Sequence, residues 1–257
     1  MPGLTLDQLT SFYYVYTDII PGAWLAPMAL PNLRGFWANQ IYTSTWYDQS
    51  CRAAPNNLTL TGAADPTDIG IATEWPGALA PYIALDGTND YASIADNTDL
   101  SITTDITMGA WVCPQALKQQ GIINKFLATG DKRSYQLFMN TNYQFSIAVS
   151  RLGTLATTTS NAVTTVTAEV GQWYFVAGKF IISTSLTTWV NDTRSSIATG
   201  VFGLFDNDRP FIIGERNETA AQRWNGYIAQ AWICATGVSD DMINWLYTTQ
   251  APLFGRA

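Results

Sequence analysis

Downstream of Leu33 the chain alternates: short runs of apolar and polar residues recur, and Gly, Asn, Asp or Pro breaks each run. A period of two puts successive side chains on opposite faces of a sheet, so each run predicts a β-strand. The clearest runs cover residues 106–113, 121–126, 135–139, 144–149, 173–180, 186–190, 211–213 and 228–234. In the first, Ile106, Met108, Ala110 and Val112 share one face, and Trp111 and Cys113 share the other. Both faces are apolar at its end, which predicts a central strand covered on both sides. Trp111, Trp173 and Trp232 sit inside such runs and are expected in the core. Many short strands with turn residues between them predict an all-β, two-sheet antiparallel jelly-roll sandwich.

Two segments depart from this period. After Ser239, which can cap a helix, Asp240 and Asp241 suit the positive end of a helix dipole. Met242, Trp245 and Leu246 are expected to form that short C-terminal helix's apolar face. At the other end, residues 1–32 read as an N-terminal arm ahead of a domain at 33–257. Leu6, Leu9, Tyr13, Tyr16 and Ile20 fall near helical spacing, yet the aromatic, β-branched run 12–15 suits a strand equally. Pro21-Gly22 ends that element, and 24–32, with Pro27 and Pro31, reads as an extended connector. An arm carrying Phe12, Tyr13, Tyr16, Ile20 and Trp24 is too apolar to lie in water and is expected to dock, either on its own sandwich or on neighbouring chains of an assembly.

Composition narrows the functional classes. At 257 residues the chain is long enough for one large domain with a sizeable core. Aromatic residues match charged residues at 13 % each, which excludes a disordered chain. The net charge is −7 and the basic residues are scattered, so neither nucleic acid nor an anionic membrane is expected as a partner. No apolar run reaches transmembrane length, and the first residues lack the basic, then apolar, pattern of a secretory signal. The three cysteines are an odd count without close spacing, which suits neither a disulfide framework nor a zinc site. Cys113 and Cys234 each follow a strand tryptophan by two residues and are expected as small buried hydrophobes, although one pair could bridge. There is no histidine, which removes Ser-His-Asp and Cys-His triads and imidazole acid/base chemistry.

The order of particular segments carries more. Ala84-Leu85-Asp86-Gly87-Thr88-Asn89-Asp90-Tyr91 is followed by Gly109-Ala110-Trp111-Val112. Gly171-Gln172-Trp173-Tyr174-Phe175-Val176, Trp189-Val190-Asn191-Asp192, Phe211-Ile212-Ile213-Gly214 and Trp224-Asn225-Gly226-Tyr227-Ile228 come after it. Upstream stand Gly35-Phe36-Trp37 and Asp48-Gln49-Ser50. From about Leu33 to the C-terminus this succession resembles the laminin-G-like branch of the concanavalin A-like lectin/glucanase superfamily.

The resemblance implies the same sandwich. It raises a calcium ion at the sandwich rim, with Asp86, Asn89 and Asp90 as candidate ligands; side-chain-to-backbone turn bonds are the alternative for Asp86 and Asn89. Many members carry an acid in the closing strand, whereas this chain has Gly226-Tyr227-Ile228-Ala229-Gln230. No cofactor is required by the reading. The glucanase branch aligns its acids as E-x-D-x-x-E on one strand, and Glu74, Glu169, Glu215 and Glu218 fall outside any such motif, so the domain is expected to be non-catalytic. Glu215 and Glu218 read instead as a solvated loop with a local Arg216 pair. For glycans, Trp46 and Trp75 stand in expected loops beside Asp48 and Glu74 and are the candidate stacking residues. The expectation is a structural or assembly protein on a lectin-like domain, a phage capsid-decoration or tail component reaching a virion or extracellular surface without a signal peptide. A carbohydrate- or receptor-binding module is the alternative, and a glycoside hydrolase is the remote one.

Overall fold

The computed structural model describes residues 23–38, 41–42, 44–62, 69–70, 82–155, 159–216 and 220–256. Its strands are β1 (Leu33–Trp37), β2 (Ile41–Tyr42), β3 (Thr45–Trp46), β4 (Leu58–Thr61), β5 (Ile69–Gly70), β6 (Tyr82–Asp86), β7 (Tyr91–Ile94), β8 (Ile106–Pro114) and β9 (Gln120–Leu127). They continue as β10 (Lys132–Met139), β11 (Gln144–Ser150), β12 (Thr159–Thr167), β13 (Tyr174–Ile181), β14 (Ser185–Val190), β15 (Thr193–Ala198), β16 (Phe211–Ile213) and β17 (Asn225–Cys234). One α-helix follows, α1 (Asp240–Gln250).

The strands form two sheets. The first runs β15-β14-β13-β8-β17-β6-β5, and β1 pairs with β17 beside β6. The second runs β12-β11-β10-β9-β16-β7-β4-β3-β2. Every pairing between described strands is antiparallel. This is the expected sandwich.

The first sheet is apolar on both faces, and β8 shows why. Every one of its residues is buried. Met108, Ala110 and Val112 enter the core between the sheets, beside Tyr135, Leu137 and Ile147 of the second sheet. Trp111 and Cys113 point the other way, into a second cluster with Phe175, Trp189 and Trp232. That outer face is roofed by α1 and the C-terminal turn, where Trp111 stacks on Phe254 at 4.2 Å and 11°. Trp111, Trp173 and Trp232 are 0–5 % exposed, as expected from the strand pattern. Cys113 and Cys234 are buried and free.

α1 begins where the sequence predicts, with the Ser239 side chain accepting the Met242 N–H at 3.2 Å. Its buried face differs from expectation. Ile243, Leu246 and Gln250 face the sheet, whereas Trp245 is 42 % exposed. Trp245 lies two residues from Ile243, about 200° around a helix of 3.6 residues per turn, and so leaves the apolar stripe.

The expected extended connector also differs. Ala23–Ala29 is a 3-10 helix with Pro27 inside it. Three residues per turn aligns Ala23 with Ala26, and both join Leu30 in the cluster under α1. This stretch of the arm therefore packs on its own sandwich. Phe12, Tyr13, Tyr16 and Ile20 lie outside the described residues, as does the side chain of Trp24.

Candidate functional site

Loops converge at one end of the sandwich, and the turn after β6 is their centre. The Asp86 carboxylate accepts the N–H groups of Thr88 at 2.6 Å and Asn89 at 3.1 Å, while the Asp90 carboxylate accepts the Asp86 N–H at 2.9 Å. Burial alone would raise the Asp86 pKa, but the donated N–H groups of Thr88 and Asn89 outweigh it and hold the carboxyl below its usual range. Gly87 takes a φ of +75°, which suits glycine.

Cations from other loops hold this turn. Lys118 donates to the Gly87 carbonyl at 3.0 Å and Arg223 to the Thr88 carbonyl at 2.6 Å. Arg223 also pairs with Glu215 at 2.7 Å and lies 5.1 Å over the Tyr91 ring. Asn225 closes the arrangement through a 2.9 Å bond to the Asp86 carbonyl. The calcium candidates Asp86, Asn89 and Asp90 thus share one turn, but Asp86 and Asp90 face backbone N–H groups, and an ammonium and a guanidinium take its carbonyls. Among the described residues, no three His, Cys, Asp or Glu side chains gather to hold a metal.

Beside this rim lies the outer face of the second sheet. Ile123 and Leu137 point into the inter-sheet core, so their strand neighbours Asn124, Gln136 and Phe138 point away from it. Register aligns Ile212, Asn124, Gln136 and Ala148 across β16, β9, β10 and β11. Arg216 lies over this floor, 4.7 Å from the Phe138 ring and 5.8 Å from the Phe126 ring. It donates to Gln136 at 2.7 Å and to Gln222 at 3.1 Å, and Gln222 donates onward to Gln119 at 2.9 Å. Burial, and secondarily the charge of Arg133, push the Arg216 pKa down to about 10. Asn124 Nδ2 donates to the Glu215 carbonyl at 2.6 Å, while its buried Oδ1 accepts from none of the described residues. Floor residues Asn124, Phe126, Gln136 and Phe138 are at most 4 % exposed, whereas Gln119, Arg216 and Gln222 at its end are half-buried.

Two expectations change here. Arg216 does not pair with Glu215, which is 3 % exposed and belongs to Arg223; Glu218 lies outside the described residues. Trp46 is fully buried, with Nε1 donating to the Ala38 carbonyl at 3.1 Å, so it packs the core and offers no ring face to a sugar. Trp75 lies outside the described residues. Sequence reading missed Asn124, Gln136, Gln222 and the packing role of Arg216. The available signal was Ser134, Gln136 and Phe138, a mixed polar and aromatic row at alternate positions of one strand.

Two surface features complete the candidates. A shallow groove of about 420 Å³ beside α1 is lined by Ala29, Ser239, Asp241, Met242 and Trp245. Elsewhere Leu152, Leu155 and Phe202 are 55–72 % exposed, with the Arg151 guanidinium 5.5 Å over the Phe202 ring. No described helix is long and apolar enough to cross a membrane.

With this arrangement in view, the likeness to known proteins is specific at the level of fold. The chain belongs to the concanavalin A-like lectin/glucanases superfamily, whose laminin-G-type profile matches residues 86–244. No curated protein matches the sequence. Among solved structures it is similar to the binding domain of Paraclostridial Mosquitocidal Protein 1, with a TM-score of 0.64 and 14 % identity over 88 % of this chain and 55 % of that one. It is likewise similar to the botulinum neurotoxin serotype D ligand binding domain solved with N-acetylneuraminic acid, with a TM-score of 0.62 and 14 % identity over 89 % and 53 % of the two chains. The chain thus spans about half the length of these domains.

Proposed function

We propose that this protein is a non-catalytic, lectin-like binding module whose ligand contacts come from the loop-bearing rim and the half-buried end of the adjoining face of the second sheet. The observation that carries the reading is the chemistry at the half-buried end of that floor: the Arg216 guanidinium, held over the Phe126 and Phe138 rings, and the amides of Gln119 and Gln222. Amides and a guanidinium give and take hydrogen bonds but do not exchange protons near neutral pH, so they recognise without hydrolysing. A retaining glycosidase needs two carboxyl groups about 5–5.5 Å apart, and Glu215 at this rim is instead bound to Arg223. The similarity to toxin binding domains agrees with a receptor- or glycan-binding use of the fold. The experiment is a glycan and glycoprotein array probed with the purified protein; specific retention is expected, and a featureless array would count against the reading.

A second reading, structural assembly, is favoured by the exposed side chains of Leu152, Leu155 and Phe202. Large apolar side chains left this exposed can mark a contact surface. Its narrowest form is a decoration or tail component of a phage particle that displays the module. Light scattering of the purified protein would give a discrete oligomer under this reading, and L155D with F202D would reduce it to a monomer.

A further inference from the structure

The geometry points to Arg216 as a carboxylate receptor, and we propose that its ligand is an acidic saccharide, a sugar ring bearing a carboxyl group. This rests on the binding-module reading and adds the ligand class. A guanidinium has five N–H donors, and among the described residues two of them are used here, on Gln136 and Gln222. Both partners are neutral. Among the described residues no carboxylate pairs with Arg216: Glu215 belongs to Arg223, and Asp131 to Arg133. A half-buried cation without a counter-charge is costly to hold, and burial already weakens its proton affinity. A carboxylate relieves that cost, and arginine takes one through two parallel N–H bonds.

Preorganisation supports the assignment. The rings of Phe138 and Phe126 lie beneath the guanidinium and two amides fix its edge, so little ordering remains on binding. The rest of the site asks for hydroxyls. Gln222 and Gln119 form an amide rim at the half-buried end, where a ligand enters. A hydroxyl both donates and accepts, as a side-chain amide does, so sugar hydroxyls suit this rim. The net charge of −7 repels anions at long range, which leaves selection of an acidic ligand to this local cation.

Calorimetric titration with an oligogalacturonate and with its neutral galactose counterpart tests the proposal. The acidic sugar should bind the wild type at least about tenfold more tightly, a difference of about 1.4 kcal/mol. R216Q should abolish that preference. R216K should keep part of it, because lysine retains the charge and loses the fork. Should R216Q fail to fold by thermal melting, R216K and Q222L decide, the latter weakening binding while keeping the acidic preference. Equal binding of both sugars, or an R216K protein that binds like the wild type, overturns the inference while the binding-module reading stands. Tighter binding of poly-glutamate than of the sugar overturns the ligand class. Array binding to neutral glycans alone likewise defeats the inference only, and no glycan or glycoprotein binding at all defeats both.

Discussion

Single residues set the strongest constraints. Gly109 in β8 admits no side chain: a Cβ there would lie 2.6 Å from Trp232 and 2.9 Å from the Val176 carbonyl. G109A should destabilise by about 1–3 kcal/mol, a fall of several degrees in Tm at about 2–4 °C per kcal/mol for a domain near this size; an unchanged Tm would show that Trp232 can move. Lys125 is 1 % exposed and is held by the Asp96 carboxylate at 2.7 Å, with the carbonyls of Asn207 and Arg209 as further acceptors. Burial alone would raise the Asp96 pKa, but the hydrogen bond and charge of Lys125 prevail and lower it from 3.8. A carboxyl depressed on folding adds stability above its unfolded value and loses it as pH falls through the folded one. Denaturant titrations should therefore show the wild type weakening below about pH 4, and D96N with a lower plateau and a flatter acid limb; parallel curves would disprove the coupling. At the rim, Lys118 and Arg223 already hold the Gly87 and Thr88 carbonyls. The protein should therefore melt at one temperature in EDTA and in excess calcium. A calcium-dependent rise in Tm would show a bound ion, since a ligand of the native state stabilises it.

At the scale of elements, α1 and the C-terminal turn matter through what they cover. They roof Trp111, Phe175 and Trp189 on the outer face of the first sheet. The Ser239 cap sets where that roof begins, and S239A should cost about 1 kcal/mol, visible as a fall of about 2–4 °C in Tm; no shift would mean the helix is held by packing alone. The same scale shows what the sequence discloses. Runs such as 106–113 and 228–234 are legible because β8 and β17 are central and apolar, with cross-sheet burial imposed on nearly every residue. Strands β12 and β15 are rich in Ser and Thr and lie at the ends of their sheets, so neither burial nor strict alternation announces them. The 3-10 helix at Ala23–Ala29 is hidden by Pro27, which reads as a break in an α-helical pattern but is accommodated in this short 3-10 segment.

For the whole molecule, the fold follows from two apolar layers, one between the sheets and one beneath the C-terminal roof. That much is written in the spacing of hydrophobic residues. The candidate site is less legible, because it is assembled from chain-distant residues: Arg216 meets Gln136 across 80 positions, and Asn124 meets the Glu215 carbonyl across 91. Local pattern assigned Arg216 to its neighbour Glu215, whereas packing gave Glu215 to Arg223 and Arg216 to two phenyl rings. This face is proposed to bind glycans without cutting them. The most direct test incubates the purified protein with the glycans that it retains on an array and analyses the supernatant by chromatography. Retained, intact glycans and loss of retention in R216Q are expected. Release of shorter sugars with new reducing ends, abolished by E215Q, would contradict that proposal.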